Sequence, residues 1–370
     1  MTIILFQDYI EEKHISHDVY SENIFQQLYQ QIAINKFRPQ IPQKYAQNRL
    51  NLEFYRYFVY PVEAKKNLQK DDIAHIIGPG YSHLLTLLDP YRTIITVHDI
   101  IPILKWHNQL LEQNKKQPLA YFSMSFLRNA KNLIAVSKNT KNDLIQWLGC
   151  KEENIHVIYN GISKDFYPYD EIYKKDSLLK TNLPIKTTGK FCVLISGSTP
   201  HKNIARSVNA FSRFIAKFPD DKFELIKLGE ETEEWKNSIK QNNLENNSIC
   251  LGRLEDKFIP ILYNSIDCLL FPSIYEGFGL VPIEVMACGK PVIVSNTSSL
   301  PEVVEDAGIQ VDPLNVDLIA DALRKIYVDK QFRNDLVQKG INHSKKFNWE
   351  KTAEEVFDLY QKLLQNNSHI

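Results

Sequence analysis

Residues Phe271 to Gly289 read FPSIYEGFGLVPIEVMACG. Here a buried, apolar strand ending at Phe271 gives way to a Gly-rich loop and then to a helix, with Pro282 near the first turn and Gly289 at the stop. The neighbouring segments keep the same rhythm. Short apolar, β-branched or aromatic runs recur at Phe191 to Ser196, Phe223 to Leu228, Ile249 to Leu251, Cys268 to Phe271 and Pro291 to Ser295, separated by longer amphipathic stretches. Strands of this kind suit a parallel sheet covered by helices on both faces.

The first half repeats the pattern with Ile73 to Ile77, Thr93 to Val97, Leu133 to Val136 and Ile155 to Tyr159. A chain of 370 residues exceeds the usual single-domain size, so two α/β domains with a cleft between them are expected. Lys164 to Lys190 is rich in Lys, Asp, Tyr, Pro and Thr and has no clear apolar period, which places the interdomain linker there, at 166–189. The first domain then covers 1–165 and the second 190–349. Asn348 is a helix N-cap before Trp349 to Leu364, whose Ala353, Val356, Phe357, Tyr360 and Leu364 fall at helical spacing.

Lys plus Arg and Asp plus Glu each number 44, so attraction to nucleic acid or to an acidic polymer is not indicated. The five cysteines are scattered without a CxxC pair, which fits a reducing compartment without structural zinc. Met1 to Phe6 is too short an apolar run for a signal peptide, and no run approaches the roughly 20 residues that span a bilayer. A cytoplasmic protein is the expectation.

The chemistry is concentrated in the opening stretch. Gly277 and Gly279 let the backbone approach a ligand, and the amides at the helix start form an electropositive site suited to a diphosphate. Glu276 precedes the loop and Glu284 lies about one turn inside the helix, so the two carboxylates flank the anion site and can grip hydroxyls on either side of it. Standing alone, Glu276 would read as a cap and Glu284 as a solvated helix residue; the glycines between them change that reading.

This segment resembles the ExxxxxxxE signature of the retaining glycosyltransferases of family 4, which have the GT-B fold: two Rossmann-like, doubly wound parallel-sheet domains facing a central cleft. The similarity continues in PVIVSNTSSLPEVVEDAGIQVD, Pro291 to Asp312, and in FNWEKTA, Phe347 to Ala353, which resembles the family's final helix crossing back to the first domain, here about 350–370. Shorter similar pieces occur in the family's order in the first half: VHDIIP from Val97, AVSKNTKNDL from Ala135 and VIYNGI from Val157.

The resemblance implies that Glu276 holds the hydroxyls of the transferred sugar, that Gly277, Phe278, Gly279 and Leu280 line sugar and phosphates with their amides, and that Glu284 holds the ribose hydroxyls. Within SGSTPHKN, Ser196 to Asn203, Ser198 and Lys202 would reach the diphosphate, where a lysine offsets charge on the leaving group. His98 would lie near the donor sugar and Arg253, in CLGRL, near the base. The sequence departs from the family pattern twice. Ser198 stands where many relatives have arginine, with His201 or Arg206 as candidate substitutes, and FQDY, Phe6 to Tyr9, stands where a Gly-Gly pair is common.

No DxD pair exists, so transfer without a metal and without a resident cofactor is expected, with Lys202 and the helix amides in the metal's place. The implied reaction is transfer of a hexose, with retention, from a nucleotide diphosphate sugar to a saccharide or lipid-linked saccharide in envelope or exopolysaccharide synthesis. UDP-glucose is the first expectation for the donor and GDP-mannose the second. The aromatic run NLEFYRYFVY, Asn51 to Tyr60, and the pair Lys115 and Lys116 suit a lipid-linked acceptor at the inner face of a membrane, although a strand core beside a solvated loop is the more ordinary reading. A nicotinamide oxidoreductase is disfavoured because neither Gly78 and Gly80 nor Gly277 and Gly279 is followed by the third fingerprint glycine. An epimerase or sugar phosphate synthase of the same fold, and a silent nucleotide-sugar-binding subunit, remain as alternatives.

Overall fold

Each half of the chain builds its own six-stranded, wholly parallel sheet. The computed structural model describes residues 2–12, 14–46, 48–110, 117–170, 172 and 189–366, so most of the expected linker and the Lys115, Lys116 pair lie outside the described residues. One unit comprises residues 1–161 with 348–370, the other 162–347. Among the described residues no helix is long and apolar enough to cross a membrane.

In the first unit β1 (Ile3–Phe6), β2 (Ile34–Phe37), β3 (Ile73–Ile76), β4 (Thr93–Val97), β5 (Asn132–Ala135) and β6 (Ile155–Val157) are ordered β2-β1-β3-β4-β5-β6. The second unit has β7 (Phe191–Ser196), β8 (Phe223–Leu228), β9 (Ser248–Cys250), β10 (Cys268–Phe271), β11 (Val292–Ser295) and β12 (Ile309–Val311), ordered β12-β11-β10-β7-β8-β9. Every pairing within the sheets is parallel. Strand order therefore reverses between β1 and β3 in the first sheet and between β7 and β10 in the second. At such points the helical crossovers leave on opposite faces and open a crevice at the carboxyl ends of the strands.

Helix Ile204–Ile215 shows why these sequences cover their sheets. Ile204, Val208, Phe211 and Phe214 recur at helical spacing and are buried in one core with Phe191, Val193 and Leu225 from the strands beneath. In the first unit helix Ile15–Leu28 buries Tyr20, Ile24 and Leu28, and the last helix, Trp349–Asn366, joins the same core through Ala353, Val356 and Tyr360. Asn348 caps that last helix by accepting from the Lys351 amide at 2.9 Å, as its place before the amphipathic run predicts.

The ordinary reading of Asn51 to Tyr60 as a strand core is corrected. The segment is helical, Arg49–Phe54 running through a π turn at Tyr55–Val59 into Tyr60–Lys66. Its apolar residues divide by helical spacing: Tyr60, Pro61 and Ala64 are buried, while Leu50, Phe54, Phe58 and Val62, four residues apart, are exposed.

The return of the chain to the first unit depends on close backbone approach at Gly161, where an added Cβ would lie 2.3 Å from the Trp349 nitrogen and 2.5 Å from the Asn348 carbonyl carbon. Gly161→Ala is expected to cost about 3 kcal/mol, because backbone and not a flexible side chain must move. Gly149→Ala, in open space at φ +64°, should cost only the left-handed penalty of about 1 kcal/mol. Urea midpoints of the two variants check the difference.

Candidate active site

The reversal point of the second sheet lies between β7 and β10, and the chain that leaves each of these strands carries the polar groups found there. After β10 the loop 272–279 is held from below by a serine pair. The Glu276 amide donates to Ser298 Oγ at 3.0 Å, and Ser299 Oγ donates to the carbonyls of Glu276 at 3.0 Å and Phe278 at 2.6 Å. Ser298 adopts φ 54°, an unusual conformation for a residue with a Cβ. Gly279 has φ 114° and sits against Leu300, so that a Cβ would come within 2.8 Å of its side chain. Helix Leu280–Ala287 starts directly afterwards, with its first amides at the mouth of the loop.

After β7, Gly197 takes φ 105° and the chain makes one short turn, Pro200–Lys202, before Asn203 at φ 62° starts the next helix. Asn203 is buried and donates through Nδ2 to the carbonyls of Pro272, at 2.9 Å, and Pro313, at 2.7 Å. The Ile274 amide in turn donates to the His201 carbonyl at 2.8 Å. These bonds tie the β7 and β10 loops together. They leave Lys202 Nζ 2.7 Å from Glu276 Oε1 and over the ring of Phe271 at 4.8 Å.

Glu284 faces the helix Ile259–Ser265, whose buried Tyr263 donates its hydroxyl to Oε2 at 3.3 Å. Burial pushes the Glu284 carboxyl up to about 7; the Tyr263 hydrogen bond opposes the rise and Asp256 adds to it. Arg253 is exposed and lies 3.6 Å from Glu230, an exposed pair in which solvent screens the attraction. Ser198 Oγ donates to the Glu230 carbonyl at 3.2 Å. Of the candidate substitutes for the missing arginine, Arg206 donates to Asn203 Oδ1 at 3.0 Å and His201 Nε2 lies 3.1 Å from Thr199 Oγ1.

Sequence reasoning missed Lys227. It lies in β8 with no exposed surface, and Nζ donates to the Glu230 carbonyl at 2.5 Å and lies 3.5 Å from Ser198 Oγ. Burial lowers its pKa, against the pull of Cys250 and Glu230. The signal was present: in FELIKL a lysine occupies a position between apolar neighbours of a central strand. Tyr263 was missed as well, and nothing in its local sequence distinguishes it from a core aromatic.

His98 belongs to the first unit and follows β4. It is buried, stacked on His17 with ring centroids 4.4 Å apart, and met edge-on by Tyr20. Burial and the neighbouring His17 hold its pKa well below the usual histidine range, with Asp8 opposing. Its Nε2 is buried without a partner among the described residues. Asp99, which follows, accepts from the Ile101 amide at 2.9 Å. The structure thus brings Ser198, Lys202, Glu276 and the start of helix Leu280–Ala287 to one reversal point, with Glu284 inside that helix. Arg253 stands at the exposed end of β9.

Two family models match the chain in succession: "Glycosyltransferase Family 4" over residues 11–166 and "Glycosyl transferases group 1" over residues 177–343. The O-antigen chain mannosyltransferase B of Escherichia coli is 29% identical over 301 residues, 80% of this chain and 75% of that protein. The serotype-specific mannosyltransferase WbdA of the same species is 26% identical over 319 residues, but the chain spans only 38% of its length. Among solved structures, a sucrose-phosphate synthase from Thermosynechococcus elongatus superposes with a TM-score of 0.77 at 19% identity, over 99% of this chain and 100% of that one. With both of its halves matched in order and both sheets reproduced, the chain belongs to glycosyltransferase family 4 and has the GT-B fold.

Proposed function

We propose that this protein transfers a hexose, with retention, from a nucleotide diphosphate sugar to a saccharide or lipid-linked saccharide acceptor. The observation that carries the reading is the Lys202–Glu276 pair beside a glycine loop that opens a helix, at the reversal point of the second sheet. In this reading Lys202 exchanges Glu276 for the diphosphate when the donor binds, and Glu276 is released to the sugar hydroxyls. The amides from Gly277 to Leu280 face sugar and phosphates, Glu284 takes the ribose, Ser198 the diphosphate, and Arg253 the base. His98 is the first unit's contribution, a neutral imidazole near the donor sugar.

The bond from C1 to the leaving phosphate oxygen breaks as the acceptor oxygen bonds to C1, and the acceptor's proton passes to the leaving phosphate. Charge building on that phosphate is met by Lys202 and the helix amides, without a metal. The site's groups suit UDP-glucose and GDP-mannose alike, and the names of the two curated relatives weigh towards mannose and towards O-antigen-type acceptors. A cytoplasmic enzyme, peripheral at the membrane face where its acceptor is made, fits that pathway.

Titration calorimetry with UDP, GDP, UDP-glucose and GDP-mannose in excess chelator tests the reading, followed by donor hydrolysis and transfer assays. Binding with no turnover in the presence of candidate acceptors would replace it with a silent nucleotide-sugar-binding subunit. Glu276→Gln is expected to lower turnover by about 10²-fold or more, while affinity for the bare nucleotide stays the same or tightens because Lys202 loses its competitor. Lys227→Met should fold normally, since an apolar side chain suits that interior. Its nucleotide diphosphate affinity should drop roughly five- to tenfold, about 1 kcal/mol, through loss of the charge behind Ser198.

Glu284 gives a pH-dependent outcome. Its carboxyl is raised in the folded state from 4.5 to about 7, so its contribution to stability is complete below about pH 4.5 and lost as pH rises through 7. At 1.36 kcal/mol per unit, and reduced for partial exposure, the loss should be about 1–2 kcal/mol. Chemical denaturation from pH 5 to pH 8 should show this decline in the wild type and not in Glu284→Gln.

A further inference from the structure

The reversal point of the first sheet, between β1 and β3, holds a group of metal-ligating side chains that the transfer reaction does not use. Asp8 lies just beyond β1, His14 immediately precedes helix Ile15–Leu28, and His17 is in its first turn. Both histidines present Nδ1 to the same oxygen, Asp8 Oδ2, each at 2.6 Å. One ligand atom from each residue lies within 4.8 Å of the other two. We propose that Asp8, His14 and His17 form a binding site for a divalent transition metal ion of the zinc class.

Four observations support a metal over a self-contained hydrogen-bonded cluster. Asp8 is 3% exposed, yet its Oδ1 has no hydrogen-bond partner among the described residues, an arrangement that costs free energy unless a cation is close. The β3 side is closed by Gly78, where a Cβ would lie 2.7 Å from Asp8 Oδ1 and 2.8 Å from His17 Nδ1, so that a larger residue would push these ligands aside.

A second carboxylate stands beside the group. Glu12 Oε2 is 3.6 Å from His14 Nδ1, where it adds negative potential for a cation; Glu12 is itself fixed by Arg56 at 2.6 Å and by the Tyr81 hydroxyl at 2.7 Å, and His17 stacks on His98. Finally, His14 is 45% exposed, which gives an ion a path in and leaves a position for water. Two imidazoles and one carboxylate are a donor set for zinc, nickel or cobalt and a poor one for magnesium, which demands oxygen. Asp8 Oδ2 and each Nδ1, 2.6 Å apart, would have to spread by less than about 1 Å to flank an ion at bond lengths near 2.0–2.2 Å.

The inference stands apart from the transferase reading, since its test reads metal and not transfer. Untagged full-length protein, stripped with chelator and dialysed, is titrated with Zn²⁺, Co²⁺ and Mg²⁺. One equivalent of Zn²⁺ should bind, Co²⁺ should give visible absorption bands of nitrogen and oxygen ligation, and Mg²⁺ should give no heat. His14→Ala and His17→Ala should each weaken zinc binding by at least about tenfold. His107→Ala, at an exposed histidine outside the group, should not. Since His14 is half exposed, its variant keeps the fold even if Asp8→Asn does not. Substoichiometric zinc, or zinc binding that is unchanged in both His14→Ala and His17→Ala, overturns the proposal.

Discussion

An all-parallel sheet must send its crossovers to opposite faces somewhere, and the gap this leaves at the carboxyl edge is the constraint on which the second unit is organised. The loops after β7 and β10 are tied by the Ile274 amide on the His201 carbonyl and by the side chain of Asn203, which spans to the carbonyls of Pro272 and Pro313 from a left-handed turn that asparagine tolerates. With the loops tied, Lys202 and Glu276 meet across the gap. Each is mostly buried, and either alone would be an unpaired charge in a poorly solvated place. In the pair, each side chain compensates the charge of the other.

The first unit meets the same constraint with different chemistry. The chain turns sharply after β1 and β3, but the polar groups gathered there are imidazoles around one carboxylate instead of a cation facing an anion loop. A comparison of two buried histidines separates what packs from what remains unused. His75 bonds Tyr360 at 2.6 Å and Thr96 at 2.8 Å, both ring nitrogens satisfied, and burial holds its pKa down at about 3. His98 is buried too but keeps Nε2 without a partner among the described residues, on the carboxyl edge, between His17 and Tyr20. The first is a core residue; the second has the hydrogen-bonding capacity left over that a ligand contact requires.

The fold was legible wherever burial on both faces wrote a continuous apolar run. Thr93–Val97, Phe191–Ser196, Phe223–Leu228 and Cys268–Phe271 are strands with the ends that the sequence predicts. Legibility failed where one face is exposed. The strand Ile34–Phe37 has a mixed burial pattern and lies at the sheet edge, so its residues carry no clear period. The helical segment containing Asn51 to Tyr60 buries Tyr60 and exposes Phe54 and Phe58, and its run of aromatics mimics the apolar density of a strand. In the site, Glu276, Lys202 and the glycines were legible because they follow strands directly. Asp8, His14 and His17 were not, because a helix turn and a loop bring them to one point and no spacing rule connects them.

Ser198 shows why a linear motif undercounts charge. A loop that lacks arginine after Gly197 looks one cation short, yet the sheet beneath supplies an ammonium from the adjacent strand. Lys227 reaches the same backbone from β8, with the Glu230 carbonyl and Ser198 Oγ on two of its three donors. The cost of burying that ammonium, visible in its lowered pKa, is one that an apolar residue in the same strand would avoid. In the proposed reading, a buried charge kept at such a cost beside the Ser198 hydroxyl gains most when the diphosphate is present. A lysine fixed below the loop would act on a diphosphate through low-dielectric protein, where its field is less screened than it is through water.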